Sequence, residues 1–160
     1  MGYAVDDKEV VLIDDAGFGG PTTFGGEIET PALSRVAEMG QTFNAFHVTA
    51  VCSPTRYSML TGRYCWRGAL KHNVLYGYEP PLIESDRKTV ASMLKSEGYH
   101  TACVGKWHLG HEPYSPLEHG FDVDVPHWPG PGPAGSYVAP WKFPDFDPDT
   151  PNEHIEDRMA

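Results

Sequence analysis

Three short stretches of this chain carry side chains whose chemistry is complementary. Asp14 and Asp15 are adjacent carboxylates at the end of the apolar run Glu9-Val10-Val11-Leu12-Ile13 and are followed by Ala16-Gly17-Phe18-Gly19-Gly20. Two neighbouring negative charges repel unless a cation or hydrogen bonds offset them. Hard oxygen donors of this kind suit Ca²⁺ or Mg²⁺. Read plainly, the same pair is a solvated turn, where Asp is favoured for its local hydrogen bonds. Cys52 opens the second stretch, Cys52-Ser53-Pro54-Thr55-Arg56, which runs on to Leu60-Thr61-Gly62-Arg63. A Cys just before a Pro-started helix faces free backbone N–H groups and the positive end of the dipole, a place that favours an anion. Arg56, one turn along, can add a planar fork to the same anion. An isolated C-x-P-x-R is more often a buried Cys and a surface Arg. The third stretch is Gly105-Lys106-Trp107-His108-Leu109-Gly110. Here Lys106 can neutralise an anion and His108 can transfer a proton. Together the three supply a cation site, three basic groups and a candidate nucleophile, a set suited to hydrolysis of a sulfate or phosphate ester.

These residues need elements to hold them. The apolar run 9–13 reads as a strand buried on both faces. Thr30 and Pro31 read as the N-cap and first position of a helix, with Leu33, Val36 and Ala37 on one face and Gly40 as its stop. Thr42 to Val48 reads as a second strand, and Pro54 to Leu60 as a short helix ended at Gly62. A third helix spans about Thr89 to Glu97, with Val90, Met93 and Leu94 on one face and Gly98 closing it. Strand-like Tyr99 to Val104 follows. This order predicts an α/β fold with a mostly parallel sheet sandwiched by helices.

Composition narrows the function further. The 160 residues hold 12 Lys+Arg against 22 Asp+Glu, a formal charge of −10. Such a chain is a poor partner for nucleic acid or anionic lipid. No apolar run reaches the ~20 residues of a membrane span, and the first residues carry no visible signal peptide. Cys52, Cys65 and Cys103 are unequally spaced and fit neither a disulfide framework nor a zinc knuckle. Ten of the 15 prolines fall between Pro113 and Pro151. That stretch is too long for an ordinary connection, and its Trp128, Tyr137, Trp141 and Phe143 predict a packed loop; Trp128, Tyr137 and Trp141 either line a sugar or aryl pocket or only pin that loop down. From Asp145 to Asp157 the chain has six carboxylates and no Lys or Arg. Residues 152–160 read as the start of a helix. Asp6-Asp7 reads as a polar end.

The ordered set VLIDDAGFG, TPALSRVAEMGQTFNAFHVTAVCSPTRYSMLTGRY, PPLIESDRKTVASMLKSEGYHTACVGKWHLG and PLEHGFD, over residues 10–122, resembles the N-terminal part of a type I sulfatase of the alkaline phosphatase superfamily. The resemblance implies that Cys52 is oxidised to formylglycine by a formylglycine-generating enzyme that reads Pro54 and Arg56. Thr55 stands where the family often has Ser. It implies that the hydrate at position 52 is the nucleophile, and that Asp14, Asp15 and the modified Cys52 hold Ca²⁺ rather than Mg²⁺. Arg56, Lys106 and His108 are then the remaining catalytic residues. The implied substrate is a sulfated small molecule or carbohydrate, and the implied compartments of full-length relatives are periplasmic, secreted or lysosomal.

The family's second pair of metal ligands and a further His and Lys have no counterpart after Gly110. The expectation is therefore that residues 1–160 form the N-terminal part of a catalytic domain, with core motifs over 10–122 and a Pro- and aromatic-rich loop over 113–151. Alone, this chain is expected to be inactive. A phosphate or phosphonate monoester hydrolase of the same superfamily, or a non-catalytic truncated fragment, are the alternatives.

Overall fold

The computed structural model describes residues 7–68, 83–144 and 150–160. Asp6, residues 69–82 and residues 145–149 of the acidic stretch lie outside the described residues. The chain divides into two compact units, one through Val48 and one from Thr49 to Ala160.

In the first unit the one α-helix among the described residues is α1 (Pro31–Met39). Pro31 starts it as expected, but Thr30 does not cap it with its side chain. The Thr30 hydroxyl instead accepts from the Thr22 amide at 3.1 Å and meets the Thr22 hydroxyl at 2.8 Å. This ties a 3₁₀ turn at Thr22–Phe24 to the start of α1. The two strands expected here, over 9–13 and 42–48, are not formed. Their apolar side chains are open to solvent: Val10 is 74%, Phe43 65% and Phe46 76% exposed. A strand needs a partner to satisfy its backbone and a layer to cover its faces, and neither segment pairs with a strand among the described residues.

The second unit is α/β with parallel pairing. Its helices are α2 (Cys52–Thr61), α3 (Val90–Ser96) and α4 (Ile155–Met159), and its strands are β1 (Ala102–Val104) and β2 (Val123–Val125). β1 and β2 run parallel, with Ala102 opposite Val123, Cys103 opposite Asp124 and Val104 opposite Val125. β1 is shorter than the expected 99–104. β2 lies in a stretch whose three residues are too few to show a pattern. Helix α2 starts at Cys52, earlier than expected, so the Cys is the first residue of the helix and not the one before it. It ends at Gly62, whose φ of 65° lets its N–H reach back to the Ser58 carbonyl.

Helix α3 has a complete capping box: the Thr89 side chain accepts from the Ser92 amide, and the Ser92 hydroxyl accepts from the Thr89 amide. Its buried residue is Ala91, while Val90 and Met93 from the expected apolar face are 45% and 58% exposed. The start of this helix is seated closely on Gly120, where an added Cβ would stand 2.4 Å from the Ser92 nitrogen.

Two apolar clusters hold this unit. The first joins Tyr57, Leu60, Ile83, Trp107 and Leu109, with Cys65, Cys103 and Phe121 packed against it. The second joins Ala134, Ala139, Trp141, Phe143 and Ile155, with Trp128 and Met159 against it. The Pro-rich stretch is thus packed onto α4, as its aromatics predict. Tyr137 is the exception: it is 59% exposed and stacks on His154.

Candidate functional site

Helix α2 is unusual in what it buries. Its inward residues are Ser53, Pro54, Arg56, Tyr57 and Leu60. Burying a hydroxyl and a guanidinium is costly unless each finds partners. The Ser53 hydroxyl donates to the His108 carbonyl at 2.8 Å, across 55 positions of sequence. The Arg56 Nη1 donates to the Lys106 carbonyl. Both acceptors belong to the Gly105–Gly110 stretch, so the helix that starts with Cys52 is fastened directly to the stretch bearing Lys106 and His108.

That stretch leaves β1 in a tight backbone path. Gly105 has φ 100° and accepts no side chain cheaply, while His108 holds φ 56°. The Gly105 amide donates to the Val125 carbonyl at 2.7 Å, so the turn is anchored to the end of β2. His108 is buried. Trp107, between the two candidates, is buried in the first apolar cluster and donates its indole N–H to the Tyr114 carbonyl at 3.0 Å. The same cluster holds Cys103, whose thiol burial pushes up to about 12, with the Asp124 charge adding to the effect and Arg56 opposing it. Cys103 is therefore an inert thiol at neutral pH.

Of the six candidates, Cys52, Arg56, Lys106 and His108 fall in the second unit. Asp14 and Asp15 fall in the first, at the end of the extended segment, with Asp15 at φ 54°. Their donor chemistry fits a hard cation. No group of three or more His, Cys, Asp or Glu placed to hold a metal occurs among the described residues, so the pair supplies only part of the six to eight oxygens that Ca²⁺ takes.

Several polar residues escaped the sequence reading. Ser53 is one, although its place between Cys52 and Pro54 marked it as part of the same helix start. Asp122 is another: it accepts from the Thr101 amide at 2.9 Å and pairs with Lys95 at 2.6 Å, which joins α3 to both strands. His119 is buried against the Trp107 ring, and its two ring nitrogens have no partner among the described residues.

The parallel pair, its covering helices and the Cys-headed helix locked to a Lys/His loop define an α/β architecture of the alkaline phosphatase type, shared with solved sulfatase structures. One of these, a sulfatase from Pseudoalteromonas sp. named PsFucS1, superposes with a TM-score of 0.63 at 30% identity, covering 72% of this chain and 25% of that one. The family model for sulfatases matches residues 10–145, and the chain belongs to the sulfatase family. It is 36% identical over 115 residues to mouse arylsulfatase J, covering 71% of this chain and 19% of that protein. It is also 38% identical over 102 residues to an N-acetylgalactosamine-6-O-sulfatase of Bacteroides thetaiotaomicron, covering 62% of this chain and 20% of the relative. The chain thus spans about a fifth of the length of the curated relatives it matches.

Proposed function

We propose that this chain forms the N-terminal part of a catalytic domain that hydrolyses sulfate monoesters to an alcohol and sulfate. The observation that carries the reading is the pair of bonds from Ser53 and Arg56 to the carbonyls of His108 and Lys106. They hold the Cys52 helix and the two basic side chains as one unit, the arrangement an anionic ester needs.

Cys52 is the residue assigned to oxidation to formylglycine, whose hydrate supplies an oxygen nucleophile for sulfur. Asp14 and Asp15 are assigned, with the modified residue 52, to Ca²⁺, which would offset the negative charge of the ester. Arg56 fixes the start of α2 through its guanidinium. Lys106 lends a positive charge to the sulfate oxygens, and His108 holds or donates a proton on the leaving-group side. A sulfated carbohydrate or other small sulfate ester is the substrate class, and the formylglycine-generating enzyme is the partner for maturation. The match of residues 10–145 to the sulfatase family supports these roles by position. No segment of at least 18 residues in a described helix is apolar enough to cross a membrane.

Intact mass spectrometry tests the nucleophile. Chain produced together with a formylglycine-generating enzyme should lose about 18 Da, mapped to Cys52, as a thiol becomes an aldehyde. An unmodified Cys52 under those conditions counts against the assignment. With only part of a calcium shell, the purified 160-residue chain should not turn over para-nitrophenyl sulfate. Calcium-dependent release of the phenol by this chain alone would show that the site needs nothing more.

A further inference from the structure

The second unit holds a pocket of about 520 Å³ that the catalytic assignment does not use. Its functional lining is Trp107, Glu112, Ser115, Asp124, His127 and Trp128. The volume lies in the range of small-molecule sites. Both indoles have their N–H groups committed to backbone, Trp107 to the Tyr114 carbonyl at 3.0 Å and Trp128 to the Gly132 carbonyl at 2.8 Å. What they offer the pocket is therefore ring carbon.

The polar wall is built with equal definition. The Asp124 side chain is 4% exposed and meets His127 Nδ1 at 2.7 Å, while His127 Nε2 points to Glu112 Oε1 at 3.5 Å. His127 keeps this position at a φ of 55°, which a non-glycine residue adopts only when its surroundings hold it there. Ser115 is 5% exposed, and its hydroxyl has no hydrogen-bond partner among the described residues. A buried hydroxyl left unmatched on a pocket wall marks a place where a ligand group completes the bonding.

The charge pattern decides the kind of ligand. No Lys or Arg is among the residues lining the pocket, and the two carboxylates there, Asp124 and Glu112, stand on either side of the His127 imidazole. A sulfate would meet repulsion. Carboxylates and a hydroxyl accept from alcohol O–H groups, and indole faces cover the C–H face of a ring. We propose that this pocket is a binding subsite for an uncharged sugar unit, stacked on the Trp128 ring with its hydroxyls on Glu112, Ser115 and the Asp124-supported His127. That the sugar unit belongs to a sulfated carbohydrate substrate rests on the sulfatase reading above. The binding itself does not.

The experiment is ligand-observed NMR saturation transfer on the 160-residue chain with unsulfated galactose, N-acetylgalactosamine and lactose, followed by titration of whichever gives transfer. At least one should bind, inorganic sulfate should not compete, and Glu112→Gln should weaken binding about tenfold. Glu112 has a 58% exposed side chain, so this variant leaves the apolar clusters intact. Trp128→Ala should abolish transfer, and Trp128→Phe should restore part of it, which separates ring stacking from a folding defect. Cys52→Ala should bind as well as the parent, so failure of the catalytic assignment and failure of this pocket give different results. Absence of transfer from all three sugars, undiminished binding in Glu112→Gln, or displacement by sulfate would each overturn the proposal.

Discussion

Ser53 and Arg56 show how single side chains position chemistry they do not perform. Each spends its donor on a main-chain carbonyl of the Lys106–His108 stretch, so each fixes where a basic side chain is presented. Removing the Ser53 hydroxyl leaves the buried His108 carbonyl without that partner, a loss of about 1–3 kcal/mol. Ser53→Ala should therefore lower the thermal midpoint of the second unit by several degrees, read by circular dichroism, while Ser53→Cys, a weaker donor, should fall between. Arg56→Lys keeps the charge but loses the planar fork. It should be nearly as destabilising as Arg56→Met, and parity of Arg56→Lys with the parent protein would mean that charge alone is used there. None of this was visible from spacing: the carbonyl that Ser53 serves is 55 residues away, and a sequence pattern reports only near neighbours. The candidates Cys52, Arg56, Lys106 and His108 were legible because each lies in a compact motif whose residue types are themselves the chemistry.

At the scale of elements, the N-terminus of α3 is set by one hydroxyl used twice. Thr89 donates its proton to the His119 carbonyl at 2.6 Å and accepts from the Ser92 amide at 3.1 Å. The same helix start rests against Gly120, at φ 97°, whose missing side chain lets the backbones approach. Thr89→Ala forfeits both bonds and should cost about 1–2 kcal/mol, the usual worth of a cap. Gly120→Ala should be worse, because its Cβ would meet backbone as well as strain φ. Gly98→Ala is the matched control: it has a similar φ of 89° with open space around it, so urea melts should rank it well above Gly120→Ala in stability. Helices α2 and α3 could be read from the sequence since Pro54, Gly62, Thr89 and Gly98 signal their ends locally. β2 could not, because its identity lies in pairing with β1 and not in the three residues themselves. The segment 9–13 reads as a buried strand and 42–48 as a second strand, yet a strand depends on pairing and a covering layer that the described residues do not provide.

For the molecule as a whole, stability against pH follows from groups whose protonation differs between folded and unfolded chain. His119 is buried with desolvation holding its imidazole below the usual range, so the folded protein resists the proton that the unfolded chain accepts. Its contribution is complete above about pH 6.5 and is lost as pH falls below that value. Asp122 is also held low, first by Lys95 and then by Thr101, and its contribution disappears only in stronger acid, below the ordinary carboxylate range. Cys103 works in the opposite direction. With the folded thiol pushed up to about 12, the unfolded chain releases its proton from about pH 8.5 while the folded chain keeps it. Stability then falls as pH rises from there toward 12, by up to about 1.4 kcal/mol per unit. All three groups lie in the second unit, so urea melts of that unit should give a plateau between about pH 6.5 and 8.5 with a decline on each side. Cys103→Ala should flatten the alkaline decline, though it lowers the plateau by opening a cavity against the first apolar cluster. His119→Phe should flatten the acid limb that begins below about pH 6.5 and leave the alkaline one unchanged. An alkaline decline that persists unaltered in Cys103→Ala would remove the buried thiol from the account.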